Sequence, residues 1–98
     1  MMPAWAQMPS PMTTVQLQDL CNSRYDVDAG MCAGYVTAVA ERLMIDNNPH
    51  QRVCLSPAIA PQILVDNIRN VWAKQPPEAQ DLAAQTVESA LRQQFRCP

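Results

Sequence analysis

Glycine and histidine are scarce in this sequence, and each scarcity excludes a chemistry. Two glycines, Gly30 and Gly34, and one histidine, His50, occur in 98 residues. Two glycines cannot form a glycine-rich phosphate cradle. One histidine leaves histidine-based metal sites and Ser-His-Asp triads without their parts. Positive charge is also sparse: Lys plus Arg is 7 against 9 for Asp plus Glu, a formal net charge of -2. That balance lacks the clustered basic excess of a nucleic-acid footprint and the polybasic face of a membrane-surface binder. No uncharged apolar stretch approaches the ~18 residues of a membrane span. No alternating apolar run argues for a sheet, and no internal repeat is present.

What remains is a chain of single-domain length, 48% hydrophobic, with nine prolines and four cysteines. The apolar fraction suffices for a packed core. Cys21, Cys32, Cys54 and Cys97 contain no Cys-x-x-Cys pair, which favours a disulfide framework over a zinc site or free thiols. Disulfides imply an oxidising compartment: periplasm, secretory lumen or exterior. Ala4-Trp5-Ala6 before Gln7 fits a signal-peptidase site, although short matches of this kind also arise by chance. Pro3, Pro9 and Pro11 oppose a helix there. Residues 1–12 are therefore expected to be a signal-peptide remnant and flexible leader, and residues 13–98 a single helical domain.

Four helices are expected. Thr13 with Gln16 has the spacing of a capping box, and Val15, Leu17, Leu20 and Cys21 form a short apolar stripe ending near Tyr25. Asp26, Asp28 and Gly30 read as a turn. A second helix from Asp28 or Ala29 to about Asn47 places Cys32, Ala33, Val36, Val39, Ala40, Leu43 and Met44 within an arc of about 140°. Gly34 and Ala38 lie on another face, where small residues serve either packing within the monomer or a dimer seam. Asn47-Asn48-Pro49 ends this helix. The third begins at Ser56-Pro57 or at Pro61 and runs to about Gln75. Its Leu64, Val65, Ile68, Val71 and Trp72 share an arc of about 120°, while Ile63 falls among Asn67, Asn70 and Lys74 on the polar face. Gln75-Pro76-Pro77 breaks the chain. The last helix is expected from Glu78, with Ala79, Ala83, Ala84, Val87, Ala90, Leu91 and Phe95 buried and Glu88–Arg92 an i,i+4 ion pair. The fold class is all-α, a compact four-helix domain with short connections.

Short connections make consecutive helices antiparallel. Cys21 and Cys32 then flank the first turn, while Cys54 precedes helix three and Cys97 follows helix four, at ends that meet. Of the three possible connectivities, this topology favours Cys21–Cys32 and Cys54–Cys97.

Catalytic constellations are poor. Asp26 and Asp28 suit capping and solvation. Asp46 and His50 could pair as acid and base, but no nucleophile is near them in sequence. Asp66 and Arg69 read as a solvated face. The cysteines would be nucleophiles only if reduced. No enzyme activity, cofactor or metal is expected.

Cys32-Ala33-Gly34-Tyr35-Val36, with Val39 beyond it, resembles the Cys-x-Gly-Tyr-Ile/Val helix of the Rap/Tai family, immunity proteins against type VI secretion amidase effectors. Leu17, Leu20 and Cys21 look like the family's first-helix pattern. Cys54, Pro57 and Gln62-Ile63-Leu64-Val65 look like its Cys–Pro–Gln-Leu-Val segment. Pro76, Ala83, Val87, Ala90-Leu91 and Phe95-Arg96-Cys97 look like its closing helix, with Arg96 in place of a proline. Ala38 and Glu41 stand where glycine and aspartate are common.

The resemblance implies a periplasmic, usually homodimeric all-α protein. Its partner would be a cognate peptidoglycan amidase effector, inhibited by filling the substrate groove. It implies effector contacts through the third helix and the following connection: Ile63, Asn67, Asn70, Lys74, Gln75, Pro76 and Pro77. Helix termination alone would also explain the two prolines. The competing expectation is a small periplasmic acid-stress chaperone of the HdeA type, which shares a disulfide-bonded all-α body.

Overall fold

The computed structural model describes residues 10–98; the Ala4-Trp5-Ala6 segment lies outside the described residues. The elements are α1 (Thr14–Asn22), α2 (Asp26–Met44), α3 (Pro61–Lys74) and α4 (Ala83–Phe95). Among the described residues no strand forms, only isolated bridges between Thr13 and Leu82 and between Val53 and Arg96. The fold class is the all-α, four-helix one expected.

Each helix contributes one apolar stripe to a common core: Leu17 from α1; Cys32, Val36, Ala40 and Leu43 from α2; Leu64, Val65, Ile68, Val71 and Trp72 from α3; Ala83, Val87, Ala90 and Leu91 from α4. Val53, from the loop after α2, completes it. Burying a side chain of Val, Leu or Ile size stabilises by about 1.5–3 kcal/mol, so these stripes dictate which helix faces turn inward. Met44, expected inside, is instead exposed, and Ala79 lies outside the core altogether.

Local polar chemistry moves the helix ends away from the expected places. The Thr13 capping box is present: Thr13 Oγ1 accepts from Gln16 N–H, and Gln16 Oε1 accepts from Thr13 N–H. α1 stops at Asn22 rather than Tyr25, and α2 begins at once. Ser23 Oγ accepts from Tyr25 N–H (3.2 Å) and donates to Asp28 Oδ2 (2.7 Å). Asp26 and Asp28 thus occupy the first turn of α2, where negative charge complements the helix dipole; they are not the turn itself. α2 ends at Met44, before the expected Asn47. Asp46 Oδ1 accepts from Asn48 N–H and Asn48 Oδ1 from His50 N–H, and such Asx turns compete with helical hydrogen bonds. Ser56 likewise closes its own turn by accepting from Ala58 and Ile59 N–H. α3 therefore starts at the alternative position, with Pro61 in the first turn, where a missing N–H costs nothing.

The largest departure is at α4, which starts at Ala83 instead of Glu78. The preceding segment is occupied in a reciprocal junction with the start of α1. Thr14 N–H donates to the Asp81 carbonyl (2.8 Å) and Val15 N–H to the Ala79 carbonyl (3.2 Å). Ala83 N–H donates in return to the Met12 carbonyl (2.9 Å). Each helix N-terminus thereby has otherwise orphaned donors satisfied by the other's flanking chain. Thr14 seals the junction. It is fully buried, its Oγ1 donates to the Asp81 carbonyl (2.9 Å), and it lies 2.9 Å from Thr86 Oγ1.

Both expected disulfides form, Cys21–Cys32 and Cys54–Cys97, at sequence separations of 11 and 43. Loop-closure entropy assigns them roughly 3 and 4 kcal/mol. The Glu88–Arg92 pair is present at 3.5 Å, and Arg42 joins Glu88 from the other side. Arg92 Nε also donates to the Gln51 carbonyl (3.2 Å), and Arg52 donates twice to the Asp46 carbonyl. The 46–53 loop is thus pinned to α2 and α4.

Thr14→Val keeps the shape and the backbone bond to the Asp81 carbonyl but removes the hydroxyl's bonds to that carbonyl and to Thr86 Oγ1. We expect a loss of about 0.5–1.5 kcal/mol in urea unfolding, while Thr14→Ser is expected to retain most of the stability. Replacing both members of a cysteine pair with serine is expected to cost more at Cys54–Cys97 than at Cys21–Cys32, read as the order of the two unfolding midpoints.

Candidate functional site

α3 positions the polar residues named from sequence. Its apolar arc faces the core, so Ile63, Asn67, Asn70 and Lys74 are turned away from it. Ile63 is 47% exposed, and the Ile63 carbonyl accepts from Asn67 Nδ2 (2.8 Å). This bond fixes the Asn67 amide against its own helix and leaves its oxygen outward. Gln75 caps the helix: its N–H donates to the Val71 carbonyl (2.8 Å), with φ -133° and ψ 78°. A residue before proline is kept out of the helical region, so Pro76 ends α3 at this point. Pro76 is exposed and Pro77 partly buried.

Four of the seven expected residues, Asn67, Asn70, Lys74 and Gln75, line one groove of about 370 Å³ between α3 and α4. Its opposite wall carries Gln93 and Gln94, which the sequence reading did not single out. Adjacent glutamines near a helix end read as ordinary solvated surface, and only the α3–α4 packing places them across a groove from Asn67 and Lys74. A neighbouring hollow of about 200 Å³ is lined by Gln75, Pro77, Trp72, Thr86, Ser89 and Gln93, among others. Gln75 and Gln93 therefore separate two depressions on one face. Pro76 lines neither hollow, and Ile63 lies outside the groove, further back along α3.

The chemistry of this face is that of amides. Asn and Gln each present a carbonyl acceptor and an amino donor, so five such side chains can satisfy exposed peptide or polar side-chain groups of either sense. Lys74 adds a single cation. The junction at Ala79, Asp81 and Ala83 holds the far end of the Pro76-Pro77 connection, and the α3 cap holds the near end.

The other sequence candidates have structural partners. Asp46 serves the Asx turn and lies 3.9 Å from Arg42, and His50 donates its backbone N–H to Asn48. Asp66 accepts from Gln62 Nε2 (3.1 Å), whereas Arg69 reaches across to the Cys21 carbonyl. All four cysteines are in disulfides. Among the described residues no group of His, Cys, Asp and Glu is placed to hold a metal ion, and no helix is long and apolar enough to cross a membrane.

α2 presents a second unusual surface. Val27, Met31 and Ile45 are 74%, 52% and 79% exposed, and Gly34 and Ala38 on the same face are exposed too. A Cβ added at Gly30 or Gly34 would meet nothing within 4 Å, and neither glycine has a positive φ. Packing within the monomer therefore does not explain Gly34.

The fold is a disulfide-stapled helical domain whose α3–α4 face is polar and lined by amide side chains. The family model described as Rap1a immunity proteins matches residues 13–97, and the chain belongs to that family. No curated protein and no solved structure matches it.

Asn70 and Lys74 contribute little to folding. Asn70→Ala and Lys74→Ala are expected to change stability by less than about 0.5 kcal/mol. Val71→Ala, on the buried side of the same turn, is expected to cost about 1–3 kcal/mol, as measured by thermal or urea unfolding.

Proposed function

We propose that this protein is a periplasmic immunity protein. It would bind a peptidoglycan amidase effector of type VI secretion and block access to that enzyme's substrate groove. Family membership supports the immunity role over the acid-stress chaperone, and two disulfides fit an oxidising compartment. The observation that carries the contact assignment is the amide-lined groove of α3 and α4 beside a Pro-Pro connection anchored at both ends. An anchored loop loses little conformational freedom on binding, so more of its contact energy appears as affinity. Asn67, Asn70, Gln75, Gln93 and Gln94 would pair with polar groups of the effector, Lys74 with a carboxylate, and Ile63 would supply an apolar contact. Inhibition would be by occupancy, with no chemistry performed on the effector.

We further propose that the protein is a homodimer through the exposed α2 face. Glycine in a helix interior costs roughly 1 kcal/mol relative to alanine, and here the monomer gains nothing visible in return. A second copy of α2 packed across Gly34 and Ala38 would use the space that the missing side chains leave. It would also cover Val27, Met31 and Ile45, and an interface between identical surfaces closes under two-fold symmetry.

The immunity reading is tested by exporting a neighbouring amidase gene product to the periplasm with and without this protein. Protection from lysis is expected. Lysis despite abundant folded protein would overturn the reading. Asn70→Glu combined with Lys74→Glu is expected to weaken effector binding by roughly tenfold or more at unchanged melting temperature. Gly34→Leu gives opposite signs for dimer and monomer. It should stabilise the isolated fold by helix propensity while shifting sedimentation toward the monomer.

A further inference from the structure

A third surface lies on another side of α3, away from Asn67, Asn70 and Lys74 and from the exposed α2 face, with Trp72 and Ala73 bordering both sides. α1 packs on α2 and α4, and α3 also packs on α2 and α4. A cleft of about 240 Å³ lies where α1 and α3 face each other. Its floor is apolar: Leu17, Val36, Val65, Ile68 and Trp72. Its rim is polar, formed by Gln18 and Asn22 of α1 and Arg69 of α3.

Size and charge together specify an occupant. A dry apolar cavity of about 150 Å³ accepts benzene, so this cleft has room for a phenyl-sized body and a short arm. It is smaller than the ~300–1,000 Å³ of sites for larger ligands. Arg69 donates to the Cys21 carbonyl, which holds the guanidinium at the mouth and leaves most of its N–H groups free. Among the described residues no carboxylate forms an ion pair with Arg69. A guanidinium beside an apolar floor, without an anion of its own, matches a ligand whose carboxylate adjoins a hydrophobic group.

We propose that the α1–α3 cleft binds a small hydrophobic monocarboxylate. The phenyl or compact alkyl body rests on Val36, Ile68 and Trp72, and the carboxylate meets Arg69, with the Gln18 and Asn22 amides beside it. The site lies on the opposite edge of α3 from Asn67 and Lys74, so it does not depend on the immunity reading.

The test is an NMR titration of the ¹⁵N-labelled full chain with 3-phenylpropionate and, separately, with the neutral counterpart 3-phenylpropanol. Saturable shifts are expected at Gln18, Val36, Ile68 and the Trp72 indole, with a dissociation constant on the order of millimolar for so small a ligand. The alcohol is expected to bind roughly tenfold more weakly, and Arg69→Gln to lose the preference for the acid. Arg69→Lys keeps the charge and is expected to restore that preference, which separates loss of charge from loss of the Cys21 contact. Gln18→Phe, filling the cleft from α1, is expected to abolish binding with Arg69 intact. Shifts that are scattered or fail to saturate, an alcohol that binds as tightly as the acid, or binding unchanged by Gln18→Phe would each overturn the proposal.

Discussion

The reciprocal junction between residues 12–15 and 79–83 is the constraint on which the rest of the architecture hangs. Two helix N-termini, far apart in sequence, would each bury donors without partners. Here each is completed by the chain leading into the other, with the Thr14 hydroxyl at the centre. A buried polar group left unpaired costs about 1–3 kcal/mol, a large fraction of a small domain's ~5–15 kcal/mol. Residues 79–82 therefore cannot serve as a helical turn. They form a single turn closed by Asp81 N–H donating to the Glu78 carbonyl (3.1 Å), which leaves the Ala79 and Asp81 carbonyls for α1 and sets the path of the Pro76-Pro77 connection.

The two disulfides work at other places. Cys21–Cys32 closes the α1–α2 turn beside the mouth of the α1–α3 cleft. Cys54–Cys97 ties the end of α4 to the chain entering α3, next to a backbone contact in which Cys54 N–H donates to the Phe95 carbonyl at 2.9 Å. With Arg42, Glu88 and Arg92 pinning the 46–53 loop, most connections have a covalent or hydrogen-bonded anchor. The groove between α3 and α4 is thus supported on rigid elements, an arrangement that lowers the entropy lost on binding.

Much of the fold was legible because it follows from periodicity and from where cysteines fall relative to helix ends. The apolar arcs of α3 and α4 and the Thr13 capping box needed only local rules, and both disulfide pairings needed only the antiparallel order that short connections impose. The misplacements came from tertiary partners that those rules do not see. Glu78 is a reasonable helix start until Ala79 and Asp81 are required by α1. Asp28 reads as a turn residue until Ser23 donates to it. The same holds for the candidate site. Asn67, Asn70, Lys74 and Gln75 were accessible through helical spacing and family resemblance, whereas Gln93 and Gln94 become wall residues only once α4 crosses α3. Gly34 carried a signal that the sequence left ambiguous, and the empty space around it removes the intramolecular explanation.

Thr14 is bonded to groups 67 and 72 positions further along the chain. Contacts of such long range form late, because the intervening loop must close first. A chain synthesised from its N-terminus therefore contains the residues of α1 well before the partners of Thr14 exist. The face proposed to bind the effector would then mature late in folding, so a truncated or partly folded copy would carry α3 and its asparagines yet lack the shaped connection beside them.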